Sequence, residues 1–272
     1  MTHDLSKLRL HLVGCGKMGS ALLKGWLSGG VKPEHVSARV NRESSAEKLH
    51  REFGIKAGTD ITYDQEDVVL LAVKPQIMPD VLAEYWNPAP AKPLYLSVAA
   101  GIRLEKLQEA LGEKAAIIRA MPNTPALIGA GVTSLCSGEQ VTTDHEQLAD
   151  RLFKAVGATV WLDTQRKLNA ATAIAGSGPA YVFYFAESLQ ELAVELDLAP
   201  EAAAELVKHT VRGSIALADD QGWDLPTLRQ NVTSRGGVTE AALKRLMDDE
   251  SGLKELLLSA LMANLRRTRE LG

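Results

Sequence analysis

The chain has 272 residues, a formal net charge of −4 and 46% hydrophobic residues, enough apolar content for the core of one large domain or two smaller ones. The small net charge and the lack of a Lys/Arg-rich stripe argue against nucleic-acid binding, and no apolar run approaches the ~18 residues of a membrane span. Two cysteines without metal-ligand spacing, Cys15 and Cys136, and a polar start unlike a secretory signal predict a cytoplasmic protein without a bound metal.

The first predicted elements are a strand, a glycine-rich turn and a helix. Leu8 to Val13 has the apolar residues of a short strand, and a helical pattern runs from Met18 to Leu27. Between them lies a motif typical of dinucleotide-binding loops, with the sequence Gly14-Cys15-Gly16-Lys17-Met18-Gly19. Gly14 would form the tight turn, Gly16 would let a pyrophosphate approach the backbone, and Gly19 would pack the helix against the strand. A glycine-rich turn without a ligand is the alternative.

The second predicted strand, His35 to Val40, ends in residues that favour a phosphorylated cofactor. Sites that prefer NAD place an acid at this strand end to bind the ribose 2′-hydroxyl. Here the position holds Asn41, followed by Arg42, and a guanidinium suits a 2′-phosphate. Glu43 comes one or two positions late for the ribose and is interpreted as an acid of the next helix. Asn41 and Arg42 therefore predict NADPH, with NADH as the weaker cofactor and a solvated Arg42 as the alternative.

Short apolar runs alternate with helical segments up to about residue 166, which is typical of a doubly wound sheet. Further strands are predicted at Val68 to Val73, Leu94 to Val98, Ala115 to Ala120, Val132 to Cys136 and Thr159 to Leu162. Ligands of open sheets bind at the carboxyl ends of the strands. There Lys74 could reach the cofactor, and Asn123, in a loop between two prolines, would lie beside the nicotinamide. The alternatives are a strand-end lysine in water and a plain turn.

Helices replace strands in the last part of the chain. The apolar residues from Val182 to Leu196 recur at helical spacing, and a second helix is predicted from about Pro200 to Ala218. We expect a dinucleotide-binding domain over residues 1–165 and a helical domain over residues 166–272. A half of this size with several apolar stripes has difficulty burying them all, so association through the helices is expected. Periodicity alone leaves packing within the chain open.

A second glycine-rich segment precedes a helix predicted to begin at Glu240. Its sequence is Asn231-Val232-Thr233-Ser234-Arg235-Gly236-Gly237-Val238-Thr239. Successive backbone N–H groups at such a helix entrance point at a common spot, and the helix dipole favours negative charge there. We interpret the segment as a cradle for a carboxylate. An ordinary capped helix start, with Ser or Thr as the cap, is the alternative.

Six segments, taken in order and together, resemble the pyrroline-5-carboxylate reductases, which complete proline synthesis. They are residues 14–19, Ala72 to Pro75, Ser97 to Gly101, Arg119 to Pro125, Gly176 to Tyr181 and Asn231 to Thr239. The fourth, with its Met-Pro-Asn-Thr-Pro, and the fifth, Gly-Ser-Gly-Pro-Ala-Tyr, are quite specific to the family. The resemblance implies an N-terminal Rossmann domain, a C-terminal helical dimerisation domain and an active site built across a homodimer. In the family, dimers often assemble further into decamers.

The resemblance also implies the reaction and the residues of the site. Hydride would pass from the nicotinamide to the carbon of a cyclic C=N bond, forming L-proline. Thr239 would meet the ring nitrogen, as a positioning residue first and a proton donor second because a hydroxyl is a poor acid. Donors to the substrate carboxylate would come from Ser234, Gly236, Gly237 and Val238. Beyond the residues already named for the cofactor, the resemblance adds Lys17, Met18, Ala72, Val73, Ala99 and Asn231.

One departure from the family falls in the late glycine-rich segment. The family usually has Ser-Pro-Gly-Gly where this chain has Ser234-Arg235-Gly236-Gly237. The change removes a fixed φ, restores an N–H donor and adds a cation near the predicted carboxylate site. It therefore affects the rigidity of the loop and the affinity for substrate more than the reaction.

Two other functions stay open at this point. A β-hydroxyacid dehydrogenase also begins with a Gly-x-Gly-x-Met-Gly loop and has a helical second domain. Lys167 and Asn169 fall near the lysine region of such enzymes, without the surrounding glycine pattern. A non-catalytic dinucleotide-binding sensor would bind NADPH and reduce no imine. Alcohol oxidation that depends on Lys167 would favour the first, and NADPH binding without imine turnover would favour the second.

Overall fold

The protein is described from a computed structural model, which covers residues 4–62, 66–85 and 93–271. The chain divides into two compact units. The first consists of Met1–Ser177 together with Leu265–Gly272, and the second of Gly178–Asn264. Residues 166–177, expected in the helical half, lie in the first of these units. The domain boundary expected after residue 165 stays a prediction.

Eight strands of the first unit form one sheet. They are β1 (Leu10–Val13), β2 (Val36–Arg39), β3 (Lys56–Gly58), β4 (Val68–Leu71), β5 (Leu94–Ser97), β6 (Ala116–Pro122), β7 (Gly131–Ser137) and β8 (Gly157–Trp161). Their order is β3-β2-β1-β4-β5-β6-β7-β8, and neighbouring strands are parallel except for β6 and β7. The order of the first six is that of a Rossmann fold, so the predicted doubly wound sheet is confirmed. No strand was expected at β3, because its three residues show no apolar alternation.

The helices, in chain order, are α1 (Lys17–Ser28), α2 (Glu43–Phe53), α3 (Met78–Tyr85), α4 (Leu104–Leu111), α5 (Thr143–Lys154), α6 (Gln165–Ala171), α7 (Gly178–Glu195), α8 (Pro200–Asp220), α9 (Leu225–Asn231), α10 (Val238–Leu246) and α11 (Leu253–Leu271). Apolar residues cover both faces of the sheet, as buried parallel strands require. On one face, Trp26 of α1 and Phe153 of α5 are fully buried against the strands. On the other, Met78 of α3 and Leu107 of α4 are buried in the same way. This places the strand ends and the helix starts of the first unit on a rigid scaffold.

The second unit is made of helices, as predicted for this part of the chain. Its first helix, α7, has 18 residues and buries none of them within the single chain. The side chains left exposed include Val182, Phe183, Tyr184, Phe185 and Leu192. An exposed apolar surface of this kind marks an interaction site.

One titratable side chain lies inside the sheet of the first unit. His11, on β1, is fully buried, and its Nδ1 lies 2.8 Å from the Ser37 hydroxyl on β2. Burial, and after it the charge of the nearby Arg39, lowers the pKa of His11 from 6.5 to about 4. The imidazole is therefore neutral in the folded protein at neutral pH.

The free energy of unfolding is expected to fall as the pH drops from about 6.5 towards about 4, because the unfolded chain then binds a proton at His11 that the folded protein excludes. Above this window the contribution is fully present, and across it the loss is on the order of 3 kcal/mol. Urea unfolding of the wild type and of His11→Gln, at several pH values in this range, measures it. The variant should show the weaker pH dependence, and parallel curves for the two proteins would contradict the assignment.

Candidate functional site

The glycine-rich loop after β1 is fixed by its first glycine. Gly14 has φ of +81°, a conformation that side chains with a Cβ rarely adopt. A Cβ at this position would lie 2.6 Å from Val73 Cγ1 and 3.0 Å from the Ala72 carbonyl oxygen. The Gly14 amide donates to the Arg39 carbonyl at 2.9 Å. The end of β1 is thus held against the ends of β2 and β4, where only glycine fits.

The second glycine of the motif faces open space. Gly16 is the N-cap residue of α1, and no side chain caps the helix. A Cβ at Gly16 would meet no heavy atom within 4 Å, and both Gly16 and Lys17 are exposed. The free N–H groups and the positive end of the helix dipole therefore have room for a phosphate. These residues fit the pyrophosphate of a dinucleotide.

The third glycine and Met18 connect this helix start to the core. Gly19 is buried, and a Cβ there would lie 3.5 Å from Ala72 Cβ. Met18 is half-buried and packs against the apolar cluster on the α1 face of the sheet. The role expected for Gly19, close packing of helix against strand, agrees with this contact.

The other residues expected to bind the cofactor in the first unit follow the carboxyl edge of the sheet. The Ala72 amide, just after β4, donates to the Val13 carbonyl at 2.9 Å, and the Val98 amide, after β5, donates to the Leu71 carbonyl at 3.1 Å. Lys74 is exposed at the start of a short 3-10 turn, and Ala99 is buried. Because β2, β1, β4, β5 and β6 are neighbours in this order, the structure brings together the segments at residues 41–42, 14–19, 72–74, 99 and 123.

The end of β2 carries a cation and no free acid. Asn41 and Arg42 are exposed, and Arg42 is the N-cap residue of α2. Glu43 is the first residue of that helix, and its Oε1 accepts a hydrogen bond from the Thr59 hydroxyl at 2.7 Å. The Glu43 carboxylate therefore already has a hydrogen-bond partner, Thr59, in the segment after β3. Its place in the first turn of α2 agrees with its interpretation as an acid of that helix.

The side chain of Asn123 joins two backbone segments by hydrogen bonds. It is buried at the end of β6, its Nδ2 donates to the Ala175 carbonyl at 3.1 Å, and its Oδ1 accepts from the Val132 amide at 2.9 Å. Both ends of the amide group thus have partners within the first unit. A cofactor contact would have to use the second Nδ2 hydrogen or the backbone.

A buried cation behind the same edge was not singled out from the sequence. Arg119, on β6, is 1% exposed, and its Nη1 donates to Gln165 Oε1 at 3.1 Å. The same oxygen accepts from the Leu104 amide, and Gln165 Nε2 donates to Glu105 Oε1 at 2.8 Å. Burial lowers the pKa of Arg119 below its usual range. Gln165 therefore ties β6 to the starts of α4 and α6, a long-range contact without a local sequence signal.

Nothing in the described part of the chain suggests metal or thiolate chemistry. No group of three or more His, Cys, Asp or Glu side chains there could hold a metal ion. Burial raises the pKa of the Cys15 thiol to about 11 and also raises the pKa of Cys136, so both thiols stay protonated at neutral pH. Among the same residues, no helix has the length and hydropathy needed to cross a membrane.

In the second unit, the late glycine-rich segment forms a turn that leads into α10. The Gly237 amide donates to the Ser234 carbonyl at 3.0 Å, and Gly236 has φ of +73°. The positive φ makes glycine the favoured residue at position 236, and a Cβ at Gly237 would collide with Ser234 Oγ unless that hydroxyl rotated. Gly237 is the N-cap residue of α10, and no side chain caps this helix.

The helix after this turn begins at Val238, so its predicted start at Glu240 is wrong by two residues. A glycine N-cap leaves no side-chain signal at the true start, which explains the error. Thr239 is the second residue of the helix and half-buried, and its hydroxyl has no hydrogen bond to another described residue. Val238 is exposed. The amides of Val238 and Thr239, in the first turn, have no intrahelical acceptor.

Two of the amides expected to meet a substrate carboxylate have acceptors within the chain. The Gly236 amide donates to Glu240 Oε2 at 2.8 Å, and the Gly237 amide donates to Ser234 O. Glu240 was not singled out from the sequence. Asn231, expected to bind the cofactor, is the exposed last residue of α9 and belongs to the second unit.

The lysine that would serve a β-hydroxyacid dehydrogenase has the wrong surroundings for an acid or base. Lys167 Nζ lies 2.8 Å from Asp163 Oδ2, and the two side chains are 53% and 67% exposed. A catalytic lysine needs burial or a neighbouring cation to lower its pKa. Lys167 lacks the burial and is paired with a carboxylate in solvent, so the geometry gives this alternative no support.

Comparison with known proteins gives matches along the whole chain. A family model described as pyrroline-5-carboxylate reductase dimerisation matches residues 165–271. A second, described as NADP oxidoreductase coenzyme F420-dependent, matches residues 9–101. The pyrroline-5-carboxylate reductase of Pseudomonas aeruginosa is 34% identical over 270 residues, covering 98% of each chain. That of Vibrio alginolyticus is 33% identical over 266 residues, covering 97% of each.

Solved structures of the same enzyme are also similar. A pyrroline-5-carboxylate reductase from Coxiella burnetii superposes with a TM-score of 0.87 at 33% identity, covering 97% of this chain and 98% of that one. The Plasmodium falciparum pyrroline carboxylate reductase, with NADP bound, gives a TM-score of 0.82 at 27% identity, covering 98% and 99%. The similarity thus extends over both units of the chain.

Replacing Gly16 by valine is expected to weaken binding of the nicotinamide dinucleotide at least about tenfold, or about 1.4 kcal/mol. A Cβ at this position would meet no protein atom within 4 Å, so a side chain there would enter the room that the pyrophosphate needs. Isothermal titration with NADPH measures the affinity, and circular dichroism checks the fold. Gly16→Ala, with a smaller side chain, should give a smaller loss. A folded Gly16→Val protein with unchanged affinity would rule out this loop as the pyrophosphate site.

Proposed function

This chain belongs to the pyrroline-5-carboxylate reductase family, and from that membership we propose that it reduces 1-pyrroline-5-carboxylate to L-proline, the last step of proline biosynthesis. The observation that carries the proposal is a shared feature of α1 and α10. Each has a glycine as its N-cap residue, Gly16 and Gly237, and no capping side chain, so each offers free N–H groups to an anion. The reaction must bind two anions, the cofactor pyrophosphate and the substrate carboxylate.

The reaction adds a hydride to the ring carbon of the C=N bond and a proton to its nitrogen. When bound, the dihydronicotinamide supplies the hydride. The tasks of the protein are to hold the substrate ring in a reactive orientation and to keep a hydrogen-bond donor near the nitrogen. A protonated imine accepts hydride far more readily than a neutral one, so that donor matters for the rate.

We assign the substrate carboxylate to the turn before α10 and to the first turn of that helix. The donors are the Ser234 hydroxyl and the amides of Val238 and Thr239, which have no intrahelical acceptor. Gly236 and Gly237 contribute mainly by shape, because their amides already donate to Glu240 and to Ser234. A carboxylate at this place also gains from the helix dipole.

Thr239 is the proposed catalytic residue. Its hydroxyl stands at the start of α10 next to the proposed carboxylate donors and makes no hydrogen bond to another described residue. It can therefore donate to the ring nitrogen of a substrate whose carboxylate is held by the same turn. Positioning is its first role and proton donation its second, because a solvated proton source can replace a weakly acidic hydroxyl.

We propose NADPH as the preferred cofactor and NADH as the weaker one. The support is the exposed Arg42 at the end of β2 and the engagement of Glu43 with Thr59, since a guanidinium favours a 2′-phosphate and a free carboxylate would repel it. Binding by the other residues named for the cofactor, including Lys17, Met18, Ala72, Val73, Lys74, Ala99, Asn123 and Asn231, belongs to the same proposal.

We propose that the working assembly is a homodimer formed through the helical unit, with a decamer as the larger assembly that the family resemblance implies. The exposed apolar residues of α7 and the match of residues 165–271 to a dimerisation model support the dimer. A cytoplasmic location, with a small-molecule substrate and no nucleic-acid or membrane partner, completes the proposal.

Arg42→Ala is expected to raise the KM for NADPH and to leave the KM for NADH little changed. The loss corresponds to roughly 1.5 to 3 kcal/mol, the range for hydrogen bonds to a charged group. Steady-state kinetics with both cofactors measure the difference. Arg51→Ala, which removes an exposed arginine from the far end of α2, serves as the matched control. Equal effects of Arg42→Ala on the two cofactors would refute the role of Arg42.

The purified protein is expected to oxidise NADPH when pyrroline-5-carboxylate is added, and the absence of turnover with both NADPH and NADH would refute the proposed function.

Thr239→Ala should lower kcat/KM about tenfold, the effect of one lost neutral hydrogen bond, and should spare NADPH affinity. A loss on the order of 10² or more would indicate a proton route. Thr239→Ser keeps the hydroxyl and should retain most of the activity. A kinetically silent Thr239→Ala would exclude Thr239 from the site.

A further inference from the structure

Two hydrogen bonds hold the turn before α10, which consists of residues 234–237. One lies within the turn, and the other joins the turn to a side chain of α10. The Gly237 amide donates to Ser234 O at 3.0 Å, which closes a four-residue turn. Its third residue, Gly236, has φ of +73°, as a type II turn requires. The Gly236 amide donates to Glu240 Oε2 at 2.8 Å.

Arg235 occupies the second position of this turn, where proline is favoured. Proline there fixes φ near −65° and sacrifices no hydrogen bond, because the amide of that residue is not bonded within the turn. Arg235 brings no such constraint. Its side chain is exposed and makes no hydrogen bond or ion pair with another described residue. The backbone of the turn therefore keeps more freedom than a proline would allow.

Glu240 is placed to restrict that freedom. It is the third residue of α10, and acids at the third position of a helix commonly reach back to the residues before the helix. The amide it accepts from belongs to Gly236, the residue of the turn with positive φ. A charge-assisted hydrogen bond at this amide limits rotation of the peptide unit that joins Arg235 to Gly236.

We infer that Glu240 is a positioning residue for substrate binding, which holds the turn through the Gly236 amide in the shape that a proline at position 235 would otherwise maintain. The amides of Val238 and Thr239 follow this turn directly, so their direction depends on it. The inference rests on the proposed function, because it concerns the carboxylate of pyrroline-5-carboxylate. Glu240 touches no reacting atom in this scheme, so its loss should change the KM for pyrroline-5-carboxylate and not kcat.

Four variants test the inference by steady-state kinetics with pyrroline-5-carboxylate at saturating NADPH. Glu240→Ala should raise the substrate KM about three- to tenfold, as expected when one exposed hydrogen bond no longer orders a binding loop, with kcat within about twofold. Glu240→Gln keeps an oxygen acceptor and should stay near the wild-type KM. Adding Arg235→Pro to Glu240→Ala should restore most of the lost affinity, whereas Arg235→Pro in the wild-type background should change KM less.

The matched control is Glu255→Ala, which removes the acid from the same position of α11 and tests for a general helix-dipole effect. Hydrogen exchange of the Gly236 amide, measured without substrate, should be faster in Glu240→Ala than in the wild type. The exchange rate does not depend on turnover, so it tests the role of Glu240 in the turn separately from the proposed function. An inactive wild type would refute the proposed function and leave the exchange result interpretable. An unchanged or lowered KM in Glu240→Ala, equal effects of Arg235→Pro in both backgrounds, or unchanged exchange at Gly236 would overturn the inference.

Discussion

The close approach of the Gly14 backbone to the end of β4 is the constraint on which the proposed cofactor site depends. A Cβ at Gly14 would lie 2.6 Å from Val73 Cγ1, so the chain can leave β1 in this direction only without a side chain. The same turn fixes where α1 begins, directly after its N-cap residue Gly16, which has no capping side chain. Packing at Gly14 therefore sets the position of the first amides of α1 and of the positive end of its dipole.

Both glycine N-caps are proposed to bind an anion, but their surroundings differ. At Gly16 a Cβ would meet no heavy atom of the protein within 4 Å. At α10, two amides are already bonded, to Ser234 and to Glu240, which leaves the first helical amides for a ligand. The start of α10 therefore offers fewer free amide donors, held in a turn with two hydrogen bonds, which suits a small carboxylate. A pyrophosphate has more oxygens and needs the wider space at Gly16.

Much of the fold and part of the site could be predicted from the sequence, because the signals are local. The motif at residues 14–19 requires only that a strand precede it and a helix follow it, and Glu43 falls where its spacing placed it, in the first turn of α2. Other features depend on residues far apart in sequence. Asn123 lies in a loop whose sequence predicts contact with a ligand, yet its side chain makes hydrogen bonds to the backbone of Ala175 and Val132. The start of α10 was misplaced because glycine caps by its backbone and leaves no side chain to recognise.

The helical unit raises a constraint of another kind, since its stability is incomplete within one chain. No residue of α7 is buried in the single chain, although burial of an amphipathic face is what stabilises most helices in proteins. Apolar side chains such as Phe183 and Leu192 gain that burial only from a second surface. In the proposed homodimer a second copy of this chain supplies that surface, so the folding of the unit would be linked to association and its stability would rise with protein concentration. The turn before α10 belongs to this same unit, so in the proposed homodimer the order of the turn would also depend on the assembly.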